Sequence, residues 1–256
     1  MDYRILLLES EGTIMKIGII GAMDVIVAKL KADMEITRTV EKASMQFCEG
    51  TLNGKDVVVV KCGIGKVAAG ICAQILADLF EVTHIINTGI AGSLDASIDI
   101  GDVVVSEDAV YHDVDVTVFG YPVGQQAGLD VRTFPADRDL IEAIKKASET
   151  ITHEVTKNGE TVADQIHLHF GRVCSGDQFI GDDAKKSWIK STFDGLCTEM
   201  EGTSIAHACY LNHIPYVIIR AISDKADGSA EMNYPEFEKR AAEDCANITE
   251  QVLKVI

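Results

Sequence analysis

Short β-branched runs alternate with longer amphipathic stretches along this chain. Lys16–Ile20, Asp56–Lys61, His84–Asn87, Asp102–Ser106, Gly171–Ser175 and Tyr216–Arg220 mostly end at glycine or a polar turn, a pattern that predicts buried strands. Between them, Val67–Phe80, Arg138–Ser148, Gly202–Asn212 and Tyr234–Ile256 have the length of crossover helices. The last carries Phe237, Ala241, Cys245, Ile248, Val252 and Ile256 at three- and four-residue spacing, a packing stripe. Strand signals crowd together around 44–62 and 101–118, so an α/β sandwich with a mixed, partly barrel-like sheet is expected. Residues 150–169 are the least patterned and read as a hairpin or excursion.

Composition narrows the classes. The chain has 256 residues, 47% hydrophobic and 25% charged, enough for a sizeable core. No Pro- or Ser-rich linker divides it, so residues 15–256 read as a single domain and MDYRILLLESEGTI, residues 1–14, as an N-terminal extension. With 23 Lys+Arg against 40 Asp+Glu the net charge is −17, which repels nucleic acid and anionic membranes. Acidic clusters such as Gly181-Asp182-Asp183 and Ala242-Glu243-Asp244 read as solvated faces. No run approaches the ~18 apolar residues of a membrane-spanning helix, so a soluble protein is expected. Seven cysteines in apolar segments with no C-x-x-C pair read as reduced core residues of a cytoplasmic protein.

In such sheets function gathers at the carboxyl ends of strands. Met15–Lys29, MKIGIIGAMDVIVAK, passes through Gly18 and Gly21 into the first turns of a helix, but lacks the G-x-G-x-x-G of a dinucleotide turn. Cys62-Gly-Ile-Gly-Lys-Val67 has Val where a P-loop needs a magnesium-binding hydroxyl. Thr88-Gly89-Ile90-Ala91-Gly92, after the strand His84–Asn87, reads as a third small-residue loop at a strand end, and the three together make a floor for a flat ligand. Glu199-Met200-Glu201 places two carboxylates on one side, for acid/base work or to stabilise the following helix N-terminus. Asp224 follows the strand ending at Arg220, placed to deliver a proton or to make an Asx turn, with Ser223 beside it. His167 and His169 share a face, and His112-Asp113-Val114-Asp115 has ligand-capable atoms; neither completes a metal set, and no cofactor is implied.

From Met15 onwards the chain resembles the 5′-methylthioadenosine/S-adenosylhomocysteine nucleosidases of the nucleoside phosphorylase superfamily. KIGIIGAM, KCGIGKVAA, INTGIAGSL, GDVVVSEDAVYHDVDVTVFGY, CSGDQFI, TEMEGTSIAHAC and VIIRAISDKAD carry the resemblance, in order. It implies a three-layer α/β/α sandwich around a central mixed, partly barrel-like sheet, a homodimer, and cleavage of adenine thionucleosides to adenine and a thioribose. By the same resemblance Asp224 is the general acid at adenine N7, Phe179 stacks on the base and Ile180 bonds its edge through the backbone. Glu201 with the Met200 backbone holds the ribose hydroxyls, and Glu199 and Arg220 lie near the ribose and water. Met23, Ile64 and Tyr234 line the sugar and 5′-tail, Ile90, Ala91, Gly92 and Ser223 complete the site, and Phe119 reaches in from the neighbouring subunit. The glycines of the first turn are expected to let the sugar approach the backbone.

One position departs from the family. After GAM the resembling proteins carry acidic residues, the third of which activates the attacking water; here Asp24-Val25-Ile26 stand there. In a helix residues 24 and 26 lie about 200° apart, so Asp24 is no substitute for a carboxylate at 26. Slowed hydrolysis is one expectation. A nucleoside-binding protein with little turnover and a phosphate-dependent phosphorylase are the alternatives, although Asn87 stands ahead of the Thr88 segment and no arginine lies near Gly21.

Overall fold

The computed structural model describes residues 15–149, 152–157, 160–225 and 230–256, with side chains for all of these except 152–157, 160–164 and 230–239. The expected extension 1–14 lies outside the described residues.

The valine- and isoleucine-rich runs form the sheet. β1 (Lys16–Gly21) lies between parallel neighbours β4 (Lys55–Lys61) and β5 (His84–Ser93). Beyond β4 come the antiparallel β3 (Met45–Leu52) and β2 (Glu35–Lys42) at the edge. On the other side β5 pairs in parallel with β12 (Tyr216–Asp224), which runs antiparallel to β6 (Val103–Tyr111). β6 pairs with β10 (Leu168–Ser175), which pairs with β11 (Cys197–Glu199), and β11 returns antiparallel to the far end of β5. That last pairing closes five strands into a barrel. β7 (Phe134–Pro135) adds a short edge to β6, and β8 (Thr152–Lys157) with β9 (Glu160–Gln165) makes the hairpin expected between 150 and 169.

Helices cover both faces. α6 (Ala230–Val255) lies on β12 and β5, flanked by α1 (Asp24–Asp33) and α3 (Arg138–Ser148). α2 (Lys66–Phe80) packs against α5 (Gly202–Asn212), and α4 (Asp183–Phe193) against β10. The α6 stripe is buried at Ala241, Cys245, Ile248 and Val252, while Phe237 falls outside the described side chains. His167 and His169 do share a face, reaching the two oxygens of Asp102 at 3.5 and 2.8 Å.

Several expectations need correction. The strand signal around 101–118 stops at Tyr111; Thr117–Phe119 is a 3-10 turn. Thr88–Gly92 is not a loop but the second half of β5, held in strand geometry by β12 and β11. Asp182 does sit in a solvated cluster, capping α4 through the Ala184 and Lys185 amides, but Asp244 is buried on α6. The cysteines are all buried and unpaired.

Candidate active site

The parallel strands end together at one rim, and a cleft opens there. Each wall comes from a strand end. The turn after β1 gives Met23 and Ile26, the turn after β4 gives Ile64, and the bent half of β5 gives Ile90, Ala91 and Gly92. Phe179 arrives from the segment after β10, Glu199, Met200 and Glu201 from the end of β11, and Arg220, Ser223 and Asp224 from β12. The three small-residue segments thus meet, as the floor reading expected.

Two buried carboxylates behave differently. Glu199 accepts the Gly202 amide at 2.7 Å and the Glu201 amide at 3.1 Å, together with the Ser175 hydroxyl and the Arg220 guanidinium. Burial alone would raise its carboxyl, but the charge and hydrogen bond of Arg220, then Ser175 and the Gly202 amide, outweigh that and hold it below the usual range. Glu199 therefore caps α5 as well as lining the cleft. Glu201 accepts the Gly65 amide at 2.8 Å, and burial, then the neighbouring Glu199 charge, push its carboxyl up to about 7.

Arg220 is equally committed. Its Nη2 donates to Glu199 and, at 2.6 Å, to Asn87 Oδ1, and Nη1 donates to the Ile219 carbonyl at 3.1 Å. Nε is buried with no acceptor among the described residues. Gly89 lies opposite Arg220 across the β5–β12 ladder, and a Cβ there would stand 3.1 Å from Nη1. Asp224 follows a register shift between Ile222 and Asp224, an irregularity that re-aims the last side chain of the strand toward the cleft. It is buried and accepts the Ser223 hydroxyl at 2.9 Å, so it ends a strand and does not simply make an Asx turn.

The glycine-rich turn after β4 turns its amides toward carboxylates, which disposes of a phosphate cradle. Gly65 N–H goes to Glu201, Lys66 N–H to Asp177 at 2.8 Å, and Lys66 Nζ to Asp113 at 2.6 Å.

On α1 the helical geometry separates the two positions as expected. Asp24 faces outward in an ion pair with Lys61 at 2.6 Å, whereas Ile26 is 1% exposed and lines the cleft. The space above Gly21 is not left for a sugar: a Cβ there would lie 2.7 Å from Val27 Cγ1 and 2.8 Å from Ile26 Cγ2. Gly21 is needed because α1 folds back on β1, which corrects the expectation for that turn.

Not every expected residue reaches the cleft. Ile180 lines an adjoining recess with Gln178 and Phe179. Phe119, expected in the neighbouring subunit's site and not in this one, is 74% exposed on the 3-10 turn. Tyr234 lies on α6, but its side chain is outside the described residues. Sequence reasoning passed over Ala22 and Thr198 as wall residues. Thr198 belongs to the same TEMEG segment, where its position one residue before Glu199 was the available signal.

A closed mixed sheet with carboxylates, an arginine and an aromatic gathered at its strand ends defines an α/β protein built to hold a small polar ligand with a flat group. The Phosphorylase superfamily model matches residues 16–254. The 5′-methylthioadenosine/S-adenosylhomocysteine nucleosidase of Psychromonas ingrahamii is 41% identical over 240 residues, 93% of this chain and 98% of the relative. Among solved structures, the Neisseria meningitidis nucleosidase in complex with methylthio-immucillin-A superposes with a TM-score of 0.87 at 35% identity, covering 94% of this chain and 99% of that one. The futalosine hydrolase of Helicobacter pylori gives 0.85 at 27% identity, covering 95% and 99%. The chain belongs to the 5′-methylthioadenosine/S-adenosylhomocysteine nucleosidases of the Phosphorylase superfamily.

Proposed function

We propose that this protein hydrolyses the N-glycosidic bond of adenine thionucleosides, 5′-methylthioadenosine and S-adenosylhomocysteine, releasing adenine and the 5′-thioribose. The observation that carries this reading is one cleft joining Asp224, Glu201 and the Arg220–Glu199 pair at the strand ends. Cleavage passes through an oxocarbenium-like state, so the site must protonate the leaving base, stabilise positive charge on the sugar and admit a nucleophile. Asp224 delivers the proton to adenine N7, with Phe179 on the base plane and the Ile180 backbone at its edge. Glu201 and the Met200 backbone hold the ribose hydroxyls, while Met23 and Ile64 flank the sugar and tail.

Water is the nucleophile. The cleft's arginine is already paired with Glu199, and the Asn87 side chain is spent on Ile20 O and Arg220, which leaves no free cation for phosphate among the described cleft residues. A second reading, a nucleoside-binding protein with little turnover, is favoured by the apolar wall of Ile26 and Ile90. Adenine release from a panel of 5′-modified adenosines, an aminofutalosine-type nucleoside included, tests the proposal; no release from any of them over hours contradicts it.

Glu201 makes binding pH-dependent. The ionised carboxylate accepts from ribose hydroxyls, and its acidity in the empty cleft is set near 7. Affinity for a non-hydrolysable adenine nucleoside analogue is therefore expected to rise with pH up to about 7 and then level off. Below that point it falls by up to about tenfold per pH unit, because one proton must leave for each ligand bound. Calorimetry between pH 5.5 and 8.5 checks this, and a flat profile contradicts it.

The working unit is a homodimer. Ile64, Val67, Ile71 and Leu211 are exposed along two grooves that share Val67, and Ile64 also lines the cleft, so the apolar face runs to its mouth. A second copy on this face brings its Phe119 to the site. The buried thiols suit a reducing compartment, the cytoplasm.

A further inference from the structure

Hydrolysis needs a group that takes a proton from the attacking water, and α1 offers none to the cleft, since Asp24 faces outward and Ile26 is the wall. Three carboxylates line the cleft among the described residues: Glu199, Glu201 and Asp224. Glu199 is consumed by Arg220, Ser175 and the α5 amides, and Asp224, bonded by Ser223, sits where the leaving base takes its proton. Glu201 accepts the Gly65 amide through Oε1 and makes no ion pair among the described residues. The Arg220 guanidinium, fixed by Glu199 and Asn87, lines the same cleft beside it.

We infer that Glu201 is the base that deprotonates the attacking water in this protein, in addition to holding the ribose hydroxyls. This rests on the hydrolase reading above. The water oxygen bonds to C1′ as its proton passes to Glu201; the C1′–N9 bond breaks, its electron pair moves into the purine, and Asp224 protonates N7. Solvent then returns a proton to Asp224 and takes one from Glu201. The Glu201 carboxyl, pushed up by burial and the Glu199 charge, suits a base working near neutral pH.

The test is Glu201→Gln, with kcat and KM measured on 5′-methylthioadenosine and on its 2′-deoxy counterpart between pH 5.5 and 8.5, with and without azide. Calorimetry with the analogue first checks that the variant is folded and binds. The expected result is a kcat loss of ~10²–10⁴ on both substrates, with KM shifted mainly where the hydroxyl is present. The fall in kcat/KM below pH about 7, which reports the empty cleft, disappears. Azide, which has no proton to lose, restores turnover by forming the glycosyl azide. Adding Ile26→Glu to the Glu201→Gln chain recovers kcat without recovering KM, as expected of a base supplied from α1. A kcat loss confined to the substrate with the 2′-hydroxyl, or no azide response, overturns the inference and leaves the hydrolase reading standing. No adenine from the unaltered chain overturns that reading instead.

Discussion

Asp224→Asn is expected to lower kcat by ~10²–10⁴ while nucleoside binding survives. An amide keeps the shape and still accepts the Ser223 hydroxyl, now 2.9 Å from Oδ2, but it has no proton to give to the leaving purine. The strand irregularity between Ile222 and Asp224 fixes where the side chain points, so the substitution leaves the cleft walls in place. Steady-state kinetics and calorimetry on the same preparation separate the two effects. A variant with near-normal kcat means the leaving base departs without Asp224, and one that no longer binds means the residue anchors the ligand.

The largest stability effect is expected at Arg220. The Arg220–Glu199 pair is buried on both sides, and its carboxylate also caps α5, whose second residue Thr203 bonds Ser175 at 2.7 Å. Arg220→Met leaves Glu199 as an uncompensated buried charge, at a cost of about 3–5 kcal/mol of unfolding free energy. Adding Glu199→Gln removes that charge while keeping hydrogen-bonding groups for Ser175 and the Gly202 amide, and is expected to recover much of the loss. Urea unfolding of the two single variants and the double variant measures this. Equal losses in Arg220→Met and in the double variant contradict it, because the damage then lies in packing and not in the stranded carboxylate.

Much of the sheet is legible because apolar runs such as Val57–Val60 and Val217–Ile219 are interrupted by polar residues and glycine where strands end. β2 escapes notice because it is an edge strand, mostly exposed and without an apolar face. Thr88–Gly92 looks like a loop on local preference, yet pairing with β12 on one side and β11 on the other overrides it. Packing also decides Gly21 and Gly89: a Cβ would meet Ile26 and Val27 of α1 at the first and the Arg220 guanidinium at the second. The site was legible as segments, each ending a strand. What sequence left open was the division of labour between Glu199 and Glu201, because spacing alone does not say which carboxylate meets the arginine and the helix amides.

Ile26 is the other position that packing explains. A side chain at 26 must both cover Gly21 and face the cleft, and isoleucine does the first fully while leaving the second apolar. The water side of the cleft is then chemically quieter than the base side. Under the proposed mechanism turnover rests on Glu201, just past β11, and Asp224, at the end of β12, with no carboxylate from α1.

The central claim is phosphate-independent hydrolysis, and its most direct test is to incubate the protein with 5′-methylthioadenosine with and without phosphate and quantify both products. Adenine and free methylthioribose are expected in equal amounts at the same rate in either buffer. A sugar phosphate that forms only with phosphate, or tight binding with no adenine released over hours, would contradict it.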